Sequence, residues 1–249
     1  MTELEKAIEC LYSTFARYPR PERIEFCPCG CTAKDATNHL ITTALRELRE
    51  KQLEDFAFSS MTTQGSVDDF RYLLPRLFEV VSQCDLCVDP EILFGKLEHA
   101  KWLNWPPDEI TAIRTYLRAL WQTALSVYPL QDALPAFFEI ETVLASIART
   151  GEPFESYLQT WTKTTTQQAD EHLIQLVTFY GSDFSDDRTL HEAFWEESKP
   201  QAEALRNWLL QPETLQRIAS AAHLLKTDGY EHLFPPALEI LQREGRTQS

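Results

Sequence analysis

Five of the six cysteines stand in two short runs, Cys27, Cys29 and Cys31 in CPCGC and Cys84 and Cys87 in CDLC. Thiolates so spaced can chelate one metal ion, because zinc takes about four sulfur or nitrogen ligands at roughly 2.0–2.3 Å and a Cys-x-x-Cys turn reaches two corners of the tetrahedron. CDLC has that spacing. CPCGC is tighter, and its Pro28 and Gly30 favour a sharp turn that leaves room for backbone amides to face a sulfur. His39 is close enough in sequence to add a nitrogen. The metal set to expect is Cys27, Cys29, Cys31, His39, Cys84 and Cys87, with zinc as cofactor. A site drawn from both clusters needs the chain between Cys31 and Cys84 to fold back, as a helical hairpin does. Two other chemistries fit the same residues: a redox pair, or thiols buried as small hydrophobes. Cys10, alone within a helical pattern, is expected to be buried.

From Cys27 to His39 the chain resembles the SEC-C zinc motif, in which Cys-Pro-Cys-Gly is followed after eight residues by Cys and then Cys or His. Cys27, Pro28, Cys29 and Gly30 match the opening, and His39 falls on the last ligand position. Asn38 stands where the third ligand belongs, with Cys31 as its substitute, and the lysine-rich stretch between the ligands is missing. What the resemblance implies is zinc.

The remaining ionisable residues are scattered. His99, His172, His191, His223 and His232 occur singly in helical segments, where a solvated or satisfied imidazole is the simplest expectation. Asp183, Asp186 and Asp187, with Glu196 and Glu197, lack the spaced oxygen ligands and turn glycine of a calcium loop and read as a solvated face. Asp68, Asp69, Arg71, Arg76 and Glu79 fall on one helix, either as a charged groove or as intrahelical pairs on a wet face. The phosphate-binding, nucleophile-elbow, zinc-protease and dinucleotide glycine motifs are missing from the sequence. A thiol enzyme built here uses Cys27, Cys29 or Cys31, with His39 as the local base and Arg71 or Arg76 assisting.

Helices must position all of this. Leu4, Ile8, Leu11 and Phe15 repeat at helical spacing, and Pro19 stops that helix. Residues 19–34 form the cysteine-bearing loop. Thr32 and Asp35 cap a second helix running to about residue 50, with Leu40, Ala44, Leu45 and Leu48 on one face. A short helix over 52–62 ends before Gly65, which suits a left-handed turn, and Ser66 with Asp69 opens the next over 67–83. Further helices are expected at 90–103, 107–127, 132–149, 153–163, 166–180, 187–196, 200–210, 212–226 and 230–243. Trp102, Trp105 and Trp121 read as core filling. With 7 glycines and almost no period-two alternation, the fold class is all-α: an irregular multi-helix bundle or a HEAT-like stack of hairpins. The second option rests on an echo around Pro75, Pro135 and Pro235, whose spacings of 60 and 100 residues differ. The chain is expected to form a single domain, with a seam, if any, in the polar run 162–170.

The ordered segments CPC, SSMTTQGSVDDFRYLLPRLFE, ILFGKLEHAKWLNWPPDEITAI and LRALW resemble a family of uncharacterised bacterial helical proteins over about residues 8–125. Its marks are a cysteine-bearing loop, a Thr-x-Gly-x-x-x-Asp-Phe segment and a Leu-Pro-Arg-x-x-Glu helix. Members usually carry two spaced cysteines in the loop, where this chain has three. The resemblance implies a domain identity and no reaction.

The formal charge is −15, with 8 basic against 10 acidic residues in the first 60, so the excess lies downstream. Such a field repels phosphate backbones and anionic lipid, which argues against nucleic acid and membrane partners. The start MTELEKAIEC has no apolar h-region, and no apolar run nears the ~20 residues that span a bilayer. A cytoplasmic chain with reduced thiols is expected. Two functions follow: an intracellular helical interaction or scaffold protein with a Cys-based structural zinc site and a basic protein partner, or a thiol- or metal-dependent enzyme using Cys27–Cys31. The first is preferred, because it needs only features already visible.

Overall fold

A computed structural model describes residues 1–27, 37–83, 88–127, 139–181, 195–225 and 229–247. The protein is all-α. Among the described residues, β-type pairing is limited to two isolated bridges, Phe26 with Gln64 and Ser60 with Gln64. The chain divides into two compact units, Met1–Leu120 and Trp121–Ser249.

The first unit holds α1 (Glu3–Phe15), α2 (Asn38–Thr42), α3 (Glu50–Ser59), α4 (Val67–Ser82), α5 (Pro90–His99) and most of α6 (Pro107–Ser126). Helix α1 begins with a reciprocal capping box between Thr2 and Glu5, and buries Leu4, Ile8, Leu11 and Phe15. Cys10 is exposed, correcting the expectation of burial: at 100° per residue it lies roughly 130° from the centre of that apolar stripe. The Ser66–Asp69 capping box opens α4, which lies against α1 and carries Pro75 in its interior. Phe78 stacks on Phe94 of α5 at 5.1 Å and meets the tilted ring of Tyr116 of α6 at 4.9 Å. The buried Tyr116 hydroxyl donates to the Phe78 carbonyl, so the ring fills the core with its polar end satisfied.

The helix expected up to residue 50 is broken. Helix α2 stops at Thr42, Thr43 and Ala44 are extended, and α3 starts afresh at Glu50. Arg76 supplies a tertiary reason, since its Nε donates to the Leu48 carbonyl at 2.8 Å and so takes an acceptor that a continuous helix uses itself. Leu40 and Leu48 are buried as expected, whereas Ala44 is exposed.

The second unit holds α7 (Ile140–Arg149), α8 (Glu155–Lys163), α9 (Gln167–Tyr180), α10 (Lys199–Leu209), α11 (Pro212–Ala221) and α12 (Phe234–Thr247). Its centre is aromatic: Trp161 meets Trp121 edge-on at 5.4 Å and stacks on Trp208 at 5.0 Å. The indoles donate to Ala169 O, Tyr157 O and Thr162 Oγ1, respectively, which removes the cost of burying three N–H groups. The polar run 162–170 joins α8 to α9 inside this unit. Arg217 of α11 holds it, donating to Asp170 at 2.6 Å and to the Trp161 and Thr164 carbonyls at 2.8 and 2.6 Å. Pro235 sits in the first turn of α12, unlike Pro75, while Pro135 lies outside the described residues. No described helix is long and apolar enough to cross a membrane.

Candidate functional site

Two regions gather chemistry, one in each unit. In the first unit, the turn after α3 receives the cysteine-bearing segment. Cys27 N donates to Thr63 O at 2.7 Å and Gly65 N to Glu25 O at 2.8 Å. Gly65 has φ +70°, and a Cβ there meets Phe56 Cε2 at 2.7 Å, so the Thr-x-Gly pattern follows from both backbone sign and space. The buried Gln64 side chain closes the turn by donating to Asp55 O at 2.6 Å and to Ser59 Oγ. His39 Nε2 lies 2.7 Å from the Gln52 carbonyl, an acceptor only, so Nε2–H donates this bond. Cys29, Cys31, Cys84 and Cys87 lie outside the described residues. Among the described residues no three metal-ligating side chains come together.

The charged residues of α4 divide by role. Asp69 caps the helix, Asp68 pairs with Arg71 at 3.2 Å, and Arg76 pairs with Glu79 at 2.6 Å. These are intrahelical pairs, but each also reaches outward. Tyr12 of α1 donates to Glu79 at 2.5 Å, and Arg46 lies 3.6 Å over the Tyr12 ring while pairing with Glu9. Burial, reinforced by that bond to Glu79, raises the Tyr12 phenol well above its ordinary value.

Arg71 points at a fully buried carboxyl group. Glu109, in the first turn of α6, has a relative exposure of 0%. Tyr18 donates to its Oε1 at 2.6 Å, Arg17 stands 3.9 Å from the same oxygen, and Arg71 Nε stands 3.6 Å from Oε2. Arg71 also lies over the faces of Trp105 and Tyr18, at 4.2 and 5.3 Å. Two arginines, a phenol and the positive end of α6 thus surround one carboxyl. Burial first, then the hydrogen bond to Glu109, pushes the Tyr18 phenol up to about 12. Neither Glu109 nor Tyr18 is visible as special in the sequence: PPDEI reads as ordinary first-turn acid, and Tyr18 as the end of a helix. Lys96, on α5, is equally inconspicuous there, yet it is buried and desolvation lowers its pKa.

In the second unit the noteworthy feature is exposed. Phe179 and Tyr230 are 43% and 53% exposed, with ring centroids 5.5 Å apart, and Leu233 is exposed nearby in sequence. Phe179 also lines a cleft of about 420 Å³ between the start of α7 and the end of α9, together with Glu139, Glu141, Gln175 and Tyr180. Of the remaining histidines, His172 is buried with Nε2 2.8 Å from the Val127 carbonyl, and His223 and His232 bond to local carbonyls. Comparison with known proteins finds no matching family model, no matching curated protein and no matching solved structure.

Proposed function

We propose that the protein is a helical interaction scaffold whose recognition surface is the aromatic face of its second unit. The observation that carries this reading is the contact between Phe179 and Tyr230, two large rings held together in solvent. Exposed aromatics of this kind are over-represented in the anchors of protein interfaces. Their setting supports a basic partner, because residues 121–249 carry 19 acidic against 9 basic side chains, while residues 1–120 carry 19 against 14. In the first unit the ionisable groups that the sequence suggests for chemistry, Arg71, Arg76 and Glu79, tie helices together, which suits a scaffold. The test is to probe the purified chain on an array of random peptides. Binders rich in basic and apolar residues, weakened by Phe179→Ala and Tyr230→Ala, support the reading; binders indifferent to both substitutions refute it.

A structural zinc in the cysteine loop belongs to the same proposal. Support comes from His39, whose Nε2–H bond to a backbone carbonyl is the arrangement that orients a ligating imidazole through Nδ1. Elemental analysis of protein purified without chelator is expected to give about one zinc per chain. The triple variant Cys27→Ser, Cys29→Ser, Cys31→Ser should lose both the metal and thermal stability. Metal-free protein with one hyper-reactive thiol would instead point to thiol chemistry.

A further inference from the structure

We infer that Lys96 captures small aldehydes as imines, a reaction independent of the recognition surface proposed for the second unit. Lys96 stands in the last turn of α5 and is 7% exposed, although lysine is among the residues least often buried without a partner. The positions three and four away on its helix hold Ile92, Leu93, His99 and Ala100, so no acid occupies a pairing position on α5. Among the described residues, no hydrogen bond or ion pair reaches its Nζ from any other element. Lysines that serve only structure bury the stem and keep the ammonium paired or in open water. Lys96 has no pair, and little of it meets water. Its Nζ still touches solvent, since it is not one of the unbonded polar atoms that are sealed off. The amine thus lies at a narrow opening, unpaired and largely desolvated.

That setting selects both the chemistry and its reactant. A lysine in open water is an ammonium at neutral pH and has no lone pair to offer. Burial penalises the charged form and lowers the Lys96 pKa, with no acidic neighbour to restore it. A desolvated lysine is the form that attacks a carbonyl carbon. The Nζ lone pair forms the C–N bond, the carbonyl oxygen takes up the two amine protons and departs as water, and a neutral imine remains. Neither an oxidant nor a reductant is consumed. The product suits its surroundings, because it places no charge where burial would penalise one. The narrow opening sets the size of the reactant, admitting a short aliphatic aldehyde and excluding a fused aromatic one. A charged aldehyde is disfavoured by the same desolvation.

The experiment uses the full-length chain at neutral pH with limiting acetaldehyde and cyanoborohydride, which reduces each imine to a stable N-ethyl group. Peptide mass mapping then compares Lys96 with Lys6, Lys51 and Lys101, three exposed lysines of the same unit. Lys96 is expected to be ethylated about 10-fold faster than these, as a desolvated amine among solvated ammonium groups. Naphthaldehyde under the same conditions should reverse the order and label the exposed lysines first. In denaturing urea the advantage of Lys96 should vanish. Ethylation of Lys96 no faster than that of Lys6 overturns the proposal, and so does an advantage that survives unfolding, which belongs to the local sequence and not to the fold. If naphthaldehyde shows the same preference for Lys96 as acetaldehyde, the assignment to small aldehydes fails.

Discussion

Glu109 draws its partners from three separate stretches: Arg17 and Tyr18 after α1, Arg71 in α4, and its own helix α6. Removing Glu109 takes the acceptor from Tyr18 and leaves Arg71 with Asp68, so Glu109→Ala should cost about 1–3 kcal/mol in urea unfolding. Replacing Arg71 and Glu109 together by Met and Leu should cost far less than the two single changes combined, because loss of Arg71 alone strands the buried carboxyl and the double change removes it. Additive losses would show that these side chains act only by packing. The phenol gives a second handle. A hydroxyl whose folded pKa is raised stabilises the fold fully below its unfolded value near 10, and that contribution is lost as pH climbs through about 12. The urea midpoint should therefore fall from about pH 10 upward. Tyr18→Phe should flatten the slope, with Tyr12 sustaining the remainder; an unchanged slope would remove Tyr18 from the account. None of this was legible in the sequence. The Asp68, Arg71, Arg76 and Glu79 pattern showed that charges share a helix, but Glu109 is acidic in the first turn like many exposed residues, and only packing reveals that it is buried.

Elements were read better than side chains wherever the signal was local. The Ser66–Asp69 box and the apolar stripe of α1 involve residues within a turn or two of each other, and both helices start where those residues put them. The break between α2 and α3 was illegible for the opposite reason. Its cause includes Arg76, 28 residues beyond the Leu48 carbonyl it binds. The turn at 61–65 lies between these cases: Gly65 marked it correctly, but its pairing with residues 25–27 is tertiary. That pairing makes Gly65 more than a helix stop. Gly65→Ala forces an L-residue to φ +70° and drives its Cβ against Phe56, which is fully buried. The expected loss is roughly 2–5 kcal/mol, about 1–2 from the left-handed backbone and the rest from displacing a packed ring. A urea midpoint within error of the parent protein would mean that the turn relaxes freely and does not hold the cysteine segment in place.

At the scale of the whole molecule, composition had pointed to an all-α fold, and glycine scarcity with helical periodicity sufficed for that. The proline echo carried less, since Pro75 is interior to α4 and Pro235 opens α12. Charge is what the two units share unequally: 19 acidic against 14 basic residues in 1–120, and 19 against 9 in 121–249. Salt acts on this in two opposing ways. It screens ion pairs, weakening them, and it screens the repulsion among excess carboxylates, which strengthens the fold. In the second unit Arg217–Asp170 and Arg206–Glu244 keep side-chain exposures between 16% and 29%, so screening reaches them less than it reaches the exposed acidic surface. Repulsion should therefore dominate there. Trp121, Trp161, Trp195 and Trp208 all lie in that unit, so tryptophan fluorescence reports chiefly on it. Raising salt from about 10 to about 200 mM shortens the screening length from roughly 30 to under 10 Å. The fluorescence-detected Tm should rise by about 2–4 °C, on the order of 1 kcal/mol. A falling Tm would mean that the ion pairs outweigh the net charge, and would weaken the case that the acidic surface is maintained for a basic partner at the expense of stability.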